Sequence, residues 1–171
     1  MKKTVWTFGL ISGAILSAMM LLTMPFADKI GYDRGQVIGY TTMVLAGLLI
    51  FFGVRSYREN VAGGTVSFGR ALAGGSLIAL VASVCYVATW ELIYFKLAPD
   101  FGTKFQDYTL ERAKASGARP EEIQAKVTNA QKFAQLYKNP LINSAITFVE
   151  PLPVGLVIAL VSAGILSRKR K

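Results

Sequence analysis

Residues 71–97 read ALAGGSLIALVASVCYVATWELIYFKL. This run is longer than the roughly 20 residues a helix needs to cross the hydrocarbon core of a bilayer. Working outward from it, three more runs of the same kind appear: Val5 to Phe26, Val37 to Val54 and Leu141 to Leu166. The 171 residues are 53% hydrophobic, and a soluble domain of that size has too little interior to hide four such stretches. The expected fold is all-α, a polytopic membrane protein built as a four-transmembrane-helix bundle. No Pro, Ser or Gly-rich linker divides the chain, so residues 1–171 are read as a single membrane domain.

The formal charge is +9, but the cations stand in short clusters at the ends of the apolar runs. They are Lys2 and Lys3, Arg55 and Arg58, and the terminal Arg168, Lys169, Arg170 and Lys171. That placement suits the lipid bilayer and its anionic lipid headgroups as partners, and no nucleic acid is expected. If four spans alternate, these clusters and Arg70 share one side. The short loop from Ala27 to Gln36 balances two acids with two bases, and both termini are therefore expected in the cytoplasm. The long loop carries seven Lys and Arg of its own, spread among acids, and long translocated segments obey the rule weakly. The first run is too long for a signal-peptide core, and Pro25, Phe26 and Ala27 make a poor cleavage site, so a retained helix is expected.

Cys85 is the one cysteine and there is no histidine. An intramolecular disulfide, an imidazole or thiolate zinc site and a His-activated nucleophile are thereby excluded, and neither a cofactor nor an enzymatic activity is expected.

Helices in lipid gain nothing from mutual hydrophobic burial, so close approach through small residues must hold them together. Gly9, Gly13 and Ser17 recur every four residues in the first run. Ala71, Gly75, Ala79 and Ser83 do so in the third, and Gly155, Ala159, Ala163 and Ser167 in the fourth. In the second, Gly35, Gly39 and Gly47 follow a similar register that Met43 interrupts. The three unbroken stripes are read as seams inside one bundle; the alternative use is a homodimer or the docking of a partner membrane protein.

The loop from about 98 to 140 is polar but patterned. Phe101, Phe105, Tyr108 and Arg112 predict a helix stopped by Ser116 and Gly117. Pro120 suits the first position of a second helix, Glu121 and Glu122 complement its positive end, and Ile123, Val127, Ala130, Ala134 and Tyr137 make one apolar face before Asn139 and Pro140. The expectation is an extramembrane helical hairpin between the third and fourth spans, serving as a structural cap or as a docking surface for a partner or for the headgroup region.

Two carboxylates lie inside apolar runs. Glu91 sits about six residues, roughly 9 Å, from the end of the third span, and Glu150 about eight residues, roughly 12 Å, into the fourth. A charge at such depth costs several kcal/mol unless paired or watered, so at least one acid is expected to stay neutral unless Lys96 or Arg34 reaches it. The expected intramembrane polar site joins Glu91 and Glu150 with Asn143 or Thr147 and with Thr89 or Tyr94. Glu150 also opens Glu150-Pro151-Leu152-Pro153, where a kink frees carbonyls and admits water.

Several of these features resemble one family. Gly39-Tyr40, the exit Arg55-Ser56-Tyr57-Arg58, Gly63-Gly64 before Val66-Ser67-Phe68, the aromatic stretch from Tyr86 to Trp90, Thr147 to Glu150 and the basic tail together are similar to the bacterial family catalogued as domain of unknown function 4199. The resemblance implies a four-span protein of the bacterial inner membrane and brings no catalytic residue with it. The Gly63-Gly64 segment lacks the Lys and the spacing of a phosphate loop and reads as a tight turn, with Ser67 as N-cap. Two classes of function remain: a non-enzymatic structural or accessory membrane protein, and a small proton-coupled transporter or channel subunit using Glu91 and Glu150.

Overall fold

The computed structural model describes residues 1–117 and 119–168. Ala118 in the loop and Lys169, Arg170 and Lys171 of the basic tail lie outside the described residues. Regular structure among those described is all helical. Helix α1, Lys2–Thr23, gives way at Pro25 to a 3₁₀ turn, Met24–Phe26, because proline cannot donate to the α ladder. A short helix α2, Ala27–Ile30, follows, and Gly31, at φ 79°, turns the chain into α3, Tyr32–Asn60. The N–H groups of Val61 and Ala62 both reach the Tyr57 carbonyl at 3.0 Å, ending α3. Gly63 and Gly64, at φ 68° and 86°, adopt the left-handed backbone of the expected turn. Helix α4, Phe68–Leu92, starts just after Ser67 and closes in a π turn, Ile93–Leu97. Then come α5, Phe101–Ala115, α6, Pro120–Tyr137, α7, Pro140–Phe148, and α8, Pro151–Leu166.

Among the described residues, four helical stretches are long and apolar enough to cross a membrane: Lys2–Ile30, Tyr32–Asn60, Phe68–Leu97 and Pro140–Leu166. They contain the four apolar runs of the sequence. The protein is thus an all-α polytopic membrane protein. The chain forms two compact units, one of residues 1–89 together with 147 onward, the other of residues 90–146.

In the first unit the small-residue seams lie at the helix contacts. Gly9, Gly13, Ala71, Gly75, Ala79, Ser83, Gly155, Ala159 and Ala163 are all buried. The approach is close enough that no side chain fits: a Cβ on Gly13 would stand 2.6 Å from Cys85 Cβ, one on Gly75 2.9 Å from Ala159 Cβ, and one on Gly155 2.7 Å from Ala79 Cβ. The second span, whose glycine register Met43 breaks, makes its contacts through other positions. Gly35 and Gly39 have no atom within 4 Å of an added Cβ. Met43, expected as an interruption, is instead buried with Leu16, Ala46 and Ala82. On α3 the contact face runs through Met43, Gly47, Ile50 and Val54, because larger knobs meet the small residues opposite. Ser12 Oγ–H adds a bond to the Ala46 carbonyl at 3.0 Å. Arg58 Nη1 donates to the carbonyl of Leu166 at 3.4 Å, placing a cation at the negative end of α8. Outside this interior, Leu22, Val37, Leu45 and Val157 are each at least 60% exposed. Water would penalise that surface; hydrocarbon does not.

In the second unit α5 and α6 pack against one another. Their bounds follow the punctuation of the loop: Gly117 is left-handed at φ 67°, Arg119 is extended ahead of Pro120, and Asn139 Oδ1 accepts the Leu141 N–H at 3.0 Å, capping α7. Ile123, Val127, Ala130, Ala134 and Tyr137 form the half-buried face of α6 as expected, and Ala113 is buried on α5.

Candidate functional site

The polar residues of the spans fall into two groups, one in each compact unit. In the second unit, consecutive residues near the end of α4 grip consecutive residues on α7. Trp90 Nε1–H donates to Asn143 Oδ1 at 3.0 Å, and Ser144 Oγ–H donates to Glu91 Oε1 at 2.9 Å. Adjacent positions on a helix point about 100° apart, so this two-point latch fixes both the height and the rotation of residues 143 and 144 against residues 90 and 91. Asn143 is fully buried and also donates from Nδ2 to the Tyr137 carbonyl at 3.2 Å. Tyr94 takes no part in the latch through its ring; it packs against Trp90 at 5.9 Å and Tyr137 at 5.6 Å between centroids. Glu91 itself is half-buried.

In the first unit, Glu150 occupies the break between α7 and α8. Pro151 and Pro153 have no N–H to continue the ladder, so the helix stops at Val149 and Glu150, and the Glu150 N–H turns to the Thr147 carbonyl at 3.2 Å. This is the kink expected from Glu150-Pro151-Leu152-Pro153. The Glu150 side chain is exposed and accepts the Tyr86 hydroxyl proton at 2.9 Å. Thr147 is buried. Thr89 looks elsewhere: its hydroxyl donates to the Cys85 carbonyl at 2.9 Å and shares a bond with Ser17 Oγ at 2.7 Å, making it part of the contact between α1 and α4.

The structure thus brings Asn143 close to the helix end that carries Glu91, and Thr147 next to Glu150, while Thr89 serves a seam. The expected cationic partners are not used. Among the described residues Lys96 does not pair with Glu91, nor Arg34 with Glu150; hydroxyl groups hold both acids. The sequence reading missed Trp90, Ser144 and Tyr86 as hydrogen-bond donors. Their signal was present: an aromatic with a polar tip in an apolar span needs a partner for that tip. No group of three or more His, Cys, Asp or Glu residues stands close enough to hold a metal ion among the described residues.

Outside the spans, Asp100 stands just before α5 and bonds Lys104 at 3.0 Å. That hydrogen bond holds its carboxyl below the ordinary value.

No curated protein and no solved structure matches the chain. The family model described as protein of unknown function (DUF4199) matches residues 7–168, nearly the whole length, and the chain belongs to that family.

Proposed function

We propose that this is a non-enzymatic structural or accessory protein of the bacterial inner membrane, with both termini in the cytoplasm and the α5–α6 segment on the other side. The observation that carries the reading is the closure of the bundle. Glycine and alanine meet across α4 and α8 at distances that leave no room for a methyl group. A cleft beside Met1, Thr4, Tyr57 and Arg70 offers about 10 Å³, the space of a single water. That cleft is too small for a ligand, since a ligand pocket is usually some hundreds of Å³. The basic ends of the spans are read as contacts for anionic headgroups, and a second copy or another membrane protein as the partner that the apolar outer faces admit.

One observation favours the second reading, a proton-coupled transporter or channel subunit. The fourth span is discontinuous at Glu150, and broken helices with an ionisable residue at the break recur where transporters bind ions. Proton flux into liposomes reconstituted with the purified chain separates the two, with the mass of the detergent-solubilised protein measured alongside. The accessory reading expects flux equal to that of empty liposomes. A dimer whose flux disappears in Glu91→Gln or Glu150→Gln overturns it.

A further inference from the structure

We propose that the root of the α5–α6 pair is a bilayer-interface anchor, seated among the headgroups, while the far end of the pair stands in water. The proposal rests on the spans crossing a bilayer and is indifferent to which side the pair occupies.

The distribution of side chains along the two helices carries it. Large apolar residues with more than 40% exposure occur on α5 only at Phe105, in its second turn, and on α6 only at Phe133 and Leu136, in its last turns. Leu97 before α5 and Leu141 after α6 continue that exposed patch, at 62% and 82%. Beyond Phe105 on α5, and before Phe133 on α6, the exposed positions are polar or alanine except for Pro120 at the start of α6. An amphipathic helix lying flat in the interface needs an apolar stripe along its whole length. These helices have one only where the chain leaves and re-enters the spans.

The patch is also built of the residues that favour the interface. Trp90 meets Phe101 edge to face at 5.1 Å, Phe101 stacks on Phe105 at 6.2 Å, and Phe133 packs on Tyr137 at 4.7 Å. Aromatic rings with polar tips belong at the level of the headgroups. Charge agrees as well. Lys96, Lys132 and Lys138 flank the root in the sequence with no acid to match them, where lipid phosphates stand, whereas farther out Arg112, Lys114, Arg119 and Lys126 are balanced by Asp107, Glu111, Glu121 and Glu122. Asp100, the acid before α5, has its charge met by Lys104.

The test is spin labelling of the full chain in liposomes, in a Cys85→Ser background, at Phe105→Cys, Phe133→Cys, Glu111→Cys and Lys126→Cys. Accessibility to oxygen, which partitions into lipid, is compared with accessibility to a water-soluble nickel chelate. The anchor requires oxygen preference at 105 and 133 and nickel preference at 111 and 126. Nickel preference at all four positions overturns it, as does oxygen preference at all four, which would mean a pair lying flat. Exclusion of both reagents at 105 and 133 also overturns it, because protein and not lipid would then cover the root. Should the labelled variants misfold, Trp6→Phe leaves Trp90 as the sole indole. Lipids brominated near the glycerol must then quench Trp90 more than lipids brominated at the chain ends, and the reverse order sinks the proposal.

Discussion

Tyr86 and Trp90 donate to acceptors in unlike surroundings, and that difference ranks their importance. Trp90 serves Asn143, which is fully buried, so Trp90→Phe removes a donor that water cannot replace. Its expected cost is about 1–3 kcal/mol. Tyr86 serves Glu150, which lies at the surface of the bundle and not in its packed interior, and a lost hydrogen bond between helices there costs little. Tyr86→Phe should therefore cost no more than about 1 kcal/mol. Thermal unfolding in detergent reads the order directly; a larger drop for Tyr86→Phe than for Trp90→Phe would contradict it. Neither donor's partner could be read from sequence. Spacing says which residues share a face of one helix, but Asn143 and Trp90 are 53 positions apart, and their meeting depends on how two helices are rotated against each other.

At the scale of the helix, the seams make a sharper demand. Gly13→Leu and Gly75→Leu must force α1 or α8 away from α4, at an expected cost of about 1–3 kcal/mol or more. Ala88→Leu, on an exposed face of α4, should leave the melting temperature nearly unchanged. If Ala88→Leu proves the more damaging change, the contact face is wrong. Recurrence every four residues made three seams legible, because that spacing keeps small side chains on one face. On α3 it could not tell Gly47, which meets Ile158, from Gly35 and Gly39, which meet nothing, since a glycine in a helix carries no sign of whether its face has a neighbour. Below the spans, the start of α5 gives a pH dependence. Lys104 holds the Asp100 carboxyl below the ordinary 3.8, so the pair's stabilisation is present at neutral pH and is lost as pH falls through the lowered value. Acid unfolding of wild type should show a small added loss below pH ~4 that Asp100→Asn lacks; identical acid profiles would remove that role.

For the whole molecule, hydropathy and charge made the architecture readable, because a span must satisfy its backbone within itself and advertise its length in apolar residues. Sidedness was less legible, since the rule that orients the chain counts cations near span ends and the long loop has cations as well. The predicted orientation is testable with one thiol. Ala118 lies outside the described residues, but Ser116 is exposed beside it. In a Cys85→Ser background, Ser116→Cys should react with an impermeant maleimide from the periplasmic face of intact cells. Reaction only after the cells are opened would invert the topology.

The two-point latch has a further consequence in time. Both of its bonds join residues 53 positions apart, and a ribosome adding about 5–20 residues per second needs roughly 3–10 s to cover that interval. Throughout that delay Glu91 has entered the translocon or the lipid, and Ser144 does not yet exist. The third span must insert with its acid unaccompanied, on the strength of the apolar residues before it. Only the arrival of α7 closes the account, which makes docking of the last span a late step of biogenesis.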